Sequence, residues 1–161
     1  MLKLFNNLHL FFEDVFIEIS VRAYAIQTRV SPPTASKILK SLTAQELLIE
    51  HRKGIYIYYR ANREHYVFQQ LARAYWYTLL NSATEQLHNT IAFRTITLFG
   101  SLASAENTAE SDIDLYVDVE SRNIDLSSFQ KKFKRPVQLH FKNSLKNPHL
   151  KKNIEKGIRI R

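Results

Sequence analysis

Asp112 and Asp114 stand two residues apart in Ser111-Asp112-Ile113-Asp114-Leu115, and a ten-residue spacer separates them from a Gly100-Ser101 pair. Ile113 and Leu115 alternate with the acids, the pattern of a strand with one buried face. Side chains at i and i+2 of a strand share a face, with Cα atoms about 6–7 Å apart. Two carboxylates held that way repel each other. A hard divalent cation relieves the repulsion, and Mg²⁺ prefers oxygen ligands and often bridges to substrate phosphates. Gly100-Ser101 ends an apolar run, Ile96-Thr97-Leu98-Phe99. It offers a residue without Cβ, so that backbone N–H groups can approach an anion, and a hydroxyl donor. The chemistry these residues suggest is cation-assisted handling of a phosphate.

The elements that must position them follow an α/β order. A short helix over 84–92 precedes a strand over 95–99. The spacer leads to a strand over 113–119, then a helix from about 126 to 133. A strand over 137–141 follows the Arg135-Pro136 break. A basic helix from Pro148 to about Lys156 stops at Gly157, and Ile158 and Ile160 suit a final short strand.

Gly100-Ser101, the spacer and Asp112-Ile113-Asp114 resemble the signature of the DNA polymerase β-like nucleotidyltransferase superfamily, and most closely its minimal, single-domain members. The resemblance covers about half the chain, from roughly Thr84 to Arg161. It implies a small mixed sheet with helices on one side, and transfer of a nucleotidyl group from a nucleoside triphosphate (NTP) to a hydroxyl, with release of pyrophosphate. It further implies that Gly100, Ser101 and Ser111 hold the nucleotide phosphates. Asp112 and Asp114 are then the catalytic carboxylates and bind Mg²⁺ or Mn²⁺. Such sites clamp the attacking and leaving oxygens between two metal ions. The pattern's third carboxylate falls at Gln138, an amide that cannot accept a proton near neutral pH. His140 shares that strand face and is a candidate base. Asp118 lies on the same face as the acid pair but about 13 Å beyond Asp114 along a strand, too far to join it. Where relatives carry Arg and Gly after Gly-Ser, this chain has Leu102-Ala103-Ser104-Ala105.

The first half of the chain has a different rhythm. The segment 2–12 suits an apolar helix, 15–19 a short β-branched strand, and Ser20 the cap of a helix over 21–28. Ser31 is placed to cap the next helix, with Pro32 in its first turn. That helix is expected over about 33–46, with Ala35, Ile38, Leu39 and Leu42 as its buried stripe. Leu47–Arg52 and Ile55–Arg60 read as a hairpin turning at Gly54. The order, and the stretch Ser31-Pro32-Pro33-Thr34-Ala35-Ser36-Lys37-Ile38-Leu39-Lys40, resemble winged helix-turn-helix regulators of the MarR and ArsR type. The resemblance implies that the helix enters the major groove of DNA through Thr34, Ser36, Lys37 and Lys40, while Arg52 and Lys53 on the hairpin contact the backbone or minor groove. A module for protein docking or dimerisation is the competing reading. Asn62 is placed to cap a long helix from Arg63 to about Leu80, apolar over more than one face, which suits a connector and a homodimer contact. Its Tyr75-Trp76-Tyr77 cluster reads as core packing.

Charge divides the chain in the same places. Residues 1–65 carry +3, residues 66–121 carry −5 and residues 122–161 carry +10, for +8 in all. The acidic middle holds the carboxylate pair, as a cation site requires. The basic end suits a polyanionic partner or a solvated Lys-rich helix. There is no cysteine, which excludes disulfides and thiolate metal sites and fits a cytoplasmic location. No apolar run reaches the ~20 residues of a membrane span.

The sequence therefore predicts an α+β protein with a winged helix-turn-helix over 1–62, a connecting helix over 63–82 and a nucleotidyltransferase domain over 83–161. Two functions follow. One is a DNA-binding nucleotidyltransferase that modifies a protein or nucleic-acid hydroxyl, in the manner of antitoxins that adenylylate a partner toxin. The other is a catalytically impaired regulator or antitoxin that binds DNA, nucleotide or a protein partner without turnover.

Overall fold

A computed structural model describes residues 3–90 and 93–161, with side chains outside 86–90. The chain forms two compact units, Met1–Leu71 and Ala72–Arg161.

The first unit begins with α1 (Lys3–Glu13), which buries Phe5, Leu8, Phe11 and Phe12 along one stripe. The strand expected over 15–19 is mostly a turn. The Asp14 carboxylate accepts the Phe16 N–H at 2.9 Å and its carbonyl accepts the Ile17 N–H at 3.3 Å, so the chain bends where β-branched residues alone would favour extension. Only β1 (Ile19–Ser20) pairs. Ser20 then caps α2 (Val21–Thr28), which ends at Arg29 in the left-handed region (φ 56°). Ser31 caps α3 (Pro32–Ala44) by accepting the Thr34 N–H at 3.3 Å, with Pro32 in the first turn. Ala35, Leu39 and Leu42 are buried, whereas Ile38 is only partly covered.

Strands β2 (Leu48–Lys53) and β3 (Tyr56–Ala61) pair antiparallel, Lys53 opposite Tyr56, and the sheet order is β1-β3-β2. Gly54 supplies the positive φ (62°) that the tip requires. Two buried phenols pin this unit. Tyr24 donates to the Asn7 carbonyl at 2.8 Å, and Tyr59 donates to the Glu50 carboxylate at 3.0 Å.

The helix expected from Arg63 starts later, as α4 (Tyr66–Thr90). Asn62 donates its side-chain amide to the Glu46 carbonyl at 2.8 Å, and its own carbonyl accepts the His65 N–H at 3.0 Å. Asn62 thus builds a turn and does not cap. The two helices expected over 63–80 and 84–92 are one, with residues 91 and 92 outside the described residues. No Gly or Pro interrupts 81–84, and the Thr84 hydroxyl returns to the Asn81 carbonyl at 3.0 Å, which leaves the helix intact.

The second unit adds β4 (Ile96–Phe99), α5 (Ser101–Ser104), β5 (Ile113–Val117), α6 (Ser127–Phe133), β6 (Val137–His140), a 3₁₀ turn (Lys142–Lys146), α7 (Pro148–Glu155) and β7 (Ile158–Arg159). The sheet is mixed, in the order β6-β5-β4-β7, with β5 and β6 parallel and the other pairs antiparallel. Ile96, Leu98, Ile113, Leu115 and Val117 are buried on one face. The opposite face, expected to be bare of helices, is partly covered. Ile154 of α7, with Leu145 and Leu150, packs on Phe99 and Tyr116.

Burial pushes the Tyr24 phenol up to about 12, and burial plus the Glu50 contact does the same for Tyr59, against an ordinary value of 10. A raised folded-state value stabilises fully below the unfolded value and is lost as pH rises through the folded one. Stability is therefore expected to fall between about pH 10 and 12. In denaturant titrations, Tyr24→Phe/Tyr59→Phe should flatten that alkaline fall; an unchanged slope contradicts it.

Candidate active site

The site grows from the register of two strands. In the antiparallel β4–β5 pair, Phe99 lies opposite Asp114. The residue after Phe99 therefore lands on the Asp114 side chain. That residue is Gly100, at φ 74° and ψ −155°, a region open essentially to glycine alone. A Cβ at this position would also press on Asp114 Oδ2, so the conformation demands glycine and any side chain would have to push that carboxylate aside. The Gly100 carbonyl then accepts the Ala103 and Ser104 N–H groups at 3.1 and 3.2 Å, starting α5 at Ser101.

Asp112 and Asp114 occupy alternate positions around buried Ile113. In the parallel β5–β6 pair, Gln138 lies opposite Asp114 and His140 opposite Tyr116. From there Gln138 donates its amide to Asp112 Oδ2 at 2.5 Å. His140 Nε2 lies 3.5 Å from Asp114 Oδ1, beyond a strong hydrogen bond, and its ring meets Phe99 edge-on at 5.0 Å. Gly100, Asp112, Asp114 and Gln138 are thus brought together, with His140 at the margin. Asp118 serves a different end, its carboxylate accepting the Arg94 and Thr95 N–H groups at 2.9 and 3.0 Å.

The donor set is oxygen-rich: two carboxylates, plus an amide oxygen when Gln138 turns its NH₂ away. That chemistry suits Mg²⁺ or Mn²⁺. Among the described residues, no three His, Asp or Glu side chains gather into a metal cage. A cation here would take the rest of its shell from water and phosphate oxygens, the habit of Mg²⁺ at triphosphate sites.

Ser111 sits at the start of the acid strand, but its hydroxyl closes the preceding turn by accepting the Thr108 N–H at 2.9 Å. Two residues that the motif does not contain hold the spacer. Arg135 donates to the carbonyls of Thr108 and Ser111 at 2.9 and 2.7 Å, and Arg73 donates to that of Ala103 at 2.6 Å. Arg73 sits in an apolar helical run (Leu71-Ala72-Arg73-Ala74-Tyr75-Trp76), where a charge must find a buried acceptor; that was the one signal available in the sequence.

The residues expected to meet DNA lie in the first unit. On α3, Thr34, Lys37 and Lys40 are exposed and Ser36 is half-buried; the Thr34 hydroxyl lies 2.8 Å from that of Ser31. On β2, Arg52 and Lys53 are exposed. Lys53 is engaged, however. It pairs with Glu18 and lies over the Tyr58 ring at 5.8 Å, and this pair holds the Glu18 carboxyl below its ordinary range.

Residues 84–161 match the nucleotidyltransferase domain family. The chain is also 37% identical over 73 residues to a proposed protein adenylyltransferase of Methanocaldococcus jannaschii, an alignment covering 40% of this chain and 73% of that protein. No solved structure matches it. The chain belongs to the nucleotidyltransferase family. The family implies an NTP and a divalent metal. Among the described residues no helix is long and apolar enough to cross a membrane.

Gly100→Ala forces a strained backbone and a displaced Asp114. The expected cost is about 1–3 kcal/mol of stability, read by denaturant unfolding, together with at least a tenfold loss of Mn²⁺–ATP affinity. Wild-type values for both would contradict the close fit described above.

Proposed function

We propose that this protein transfers a nucleotidyl group, by preference adenylyl, from an NTP to a hydroxyl on a protein or nucleic acid, and that its N-terminal region is a winged helix-turn-helix that grips DNA. The observation that carries the transferase reading is the contact of Gly100 with the Asp114 carboxylate, two positions from Asp112 on the same face. In this reading Gly100, Ser101 and Ser111 hold the triphosphate, and Asp112 and Asp114 are catalytic and hold Mg²⁺ or Mn²⁺. The bound metal would neutralise phosphate charge and favour the departure of pyrophosphate. The acceptor hydroxyl oxygen forms a bond to the α-phosphorus and gives up its proton to water, the bond from that phosphorus to the β-phosphate bridging oxygen breaks, and pyrophosphate leaves with the electron pair. The chain's own contribution is positioning and a fixed field of charge. The name of the Methanocaldococcus jannaschii relative supports a protein acceptor, in keeping with an antitoxin acting on a partner toxin.

The DNA reading assigns 1–62 to the winged helix-turn-helix, 63–82 to a connecting helix that also joins two copies, and 83–161 to the transferase domain. It is supported by the order of α2, α3 and the β2–β3 hairpin, and by exposed Lys37 and Lys40 on α3. Thr34, Ser36, Arg52 and Lys53 complete the proposed contact set, with Lys53 having to leave Glu18 to reach a phosphate. A cytoplasmic setting suits both activities.

One observation favours the second reading, a regulator that binds nucleotide without turnover. Gln138 donates to Asp112 where a proton acceptor would help the attacking hydroxyl. Incubation with labelled ATP and Mg²⁺ or Mn²⁺ separates the two readings. Transfer is expected in wild type and is expected to be lost in Asp112→Asn/Asp114→Asn. Nucleotide binding without transfer in wild type selects the regulator, and neither binding nor transfer overturns both. For the DNA reading, Lys37→Ala and Lys40→Ala should each flatten the dependence of log K on log salt by about 0.9. Unchanged slopes would remove α3 from the interface.

A further inference from the structure

Asp112 is held by its backbone neighbours as much as by its own contacts. The carbonyl before it, on Ser111, accepts from the Arg135 guanidinium at 2.7 Å. The N–H after it, on Ile113, donates to the Pro136 carbonyl at 2.9 Å. The Asp112 carboxylate accepts from Gln138 on the same β6 segment. One stretch of chain, 135–138, therefore grips Asp112 from three sides. Arg135 is 6% exposed, lies 5.3 Å from the Trp76 ring and also donates to the Thr108 carbonyl at 2.9 Å. It thus ties both ends of the 108–111 turn to α4.

Arg73, one turn before Trp76 on α4, does the same at the other end of the spacer. Its guanidinium donates to the Ala103 carbonyl at 2.6 Å, at the end of the helix that Ser101 opens. It reaches the Gly157 carbonyl at 3.0 Å and that of Lys156 at 3.4 Å, beside β7. Between these two anchors the spacer has neither helix nor strand beyond Ser104. A segment with so little regular structure needs external partners to keep Ser101 and Asp112 in a fixed relation.

We infer that Arg135 and Arg73 are positioning residues that preorganise the nucleotide site: Arg135 sets the Asp112 carboxylate and Arg73 sets the Gly100-Ser101 turn, each by donating to spacer carbonyls from outside the motif. The inference rests on the transferase reading for what the site binds, but its physical core is the order of the 102–112 segment. A guanidinium suits the task because its planar fork spans several carbonyls and stacks on an indole, which an ammonium does less well.

The test compares wild type, Arg135→Met, Arg135→Lys, Arg73→Gln and Arg73→Lys, with far-UV circular dichroism as the check of folding. Amide exchange over 102–112 and equilibrium binding of Mn²⁺–ATP are the readouts. Arg135→Met keeps an apolar stem against Trp76 without donors. It is expected to speed exchange over 108–112 at least tenfold and to weaken Mn²⁺–ATP binding at least tenfold. Arg135→Lys, which keeps a charged donor on the stem but loses the planar fork, is expected to recover both only in part, to values between those of Arg135→Met and wild type, which a loss of packing alone would not explain. Arg73→Gln and Arg73→Lys should repeat the pattern over 102–106, and they decide the matter if Arg135→Met does not fold. Wild-type exchange in folded Arg135→Met or Arg73→Gln overturns the inference, as does accelerated exchange with undiminished Mn²⁺–ATP binding. Should the wild-type protein bind no Mn²⁺–ATP, the transferase reading fails on its own. The exchange comparison then still upholds or overturns the ordering role of the two arginines.

Discussion

The second unit depends on the contact between a residue without a side chain and a carboxylate. The antiparallel register of β4 and β5 sets Phe99 opposite Asp114, so the turn after β4 must pass over that acid. Glycine passes there because the backbone adopts φ 74° and ψ −155°, and its lack of a side chain leaves the Asp114 carboxylate undisturbed. The same passage starts α5 at Ser101. One register thus decides where the hydroxyl-bearing turn and the acid pair meet. A one-residue slip would turn Asp112 and Asp114 into the core and Ile113 and Leu115 out of it.

Around that contact the polar groups divide into those facing the site and those holding it. Asp112 and Asp114 are the oxygen donors, and Gln138 and His140 border them from β6. Arg73 and Arg135 are occupied with backbone carbonyls. Asp118, although acidic and just past the end of β5, is occupied by the Arg94 and Thr95 amides. In the proposed reading the site holds two carboxylates, with the Gln138 amide donating to one of them. Such an arrangement is built to bind charge before it is built to move a proton, and it gives weight to nucleotide binding whichever acceptor the protein uses.

Much of this is legible in the sequence, because the governing signals are local. Period-two alternation around Ile113 gives the shared face of the acids, and Ser20 and Ser31 mark their helix starts through caps read three residues ahead. The turn at Gly100 is marked by a glycine at a strand end, whereas its approach to Asp114 comes from the β4–β5 register. Other features depend on partners far along the chain. Asn62 has the composition of a cap, yet its amide is taken by Glu46, sixteen residues away. The Val15-Phe16-Ile17 run looks extended, but the Asp14 side chain bends it into a turn. The continuity of α4 through Asn81 and Ser82 is invisible to propensity, since neither residue favours a helix and tertiary packing decides. The arginine anchors lie 24 to 30 residues from the spacer carbonyls they bind, beyond any motif.

The most direct measurement is a crystal of the protein soaked with Mn²⁺ and a non-hydrolysable ATP analogue, with manganese located by its anomalous signal. Manganese is expected on the carboxylates of Asp112 and Asp114, with a phosphate oxygen on the Gly100-Ser101 turn. Manganese elsewhere, or phosphates turned away from that turn, would contradict that placement.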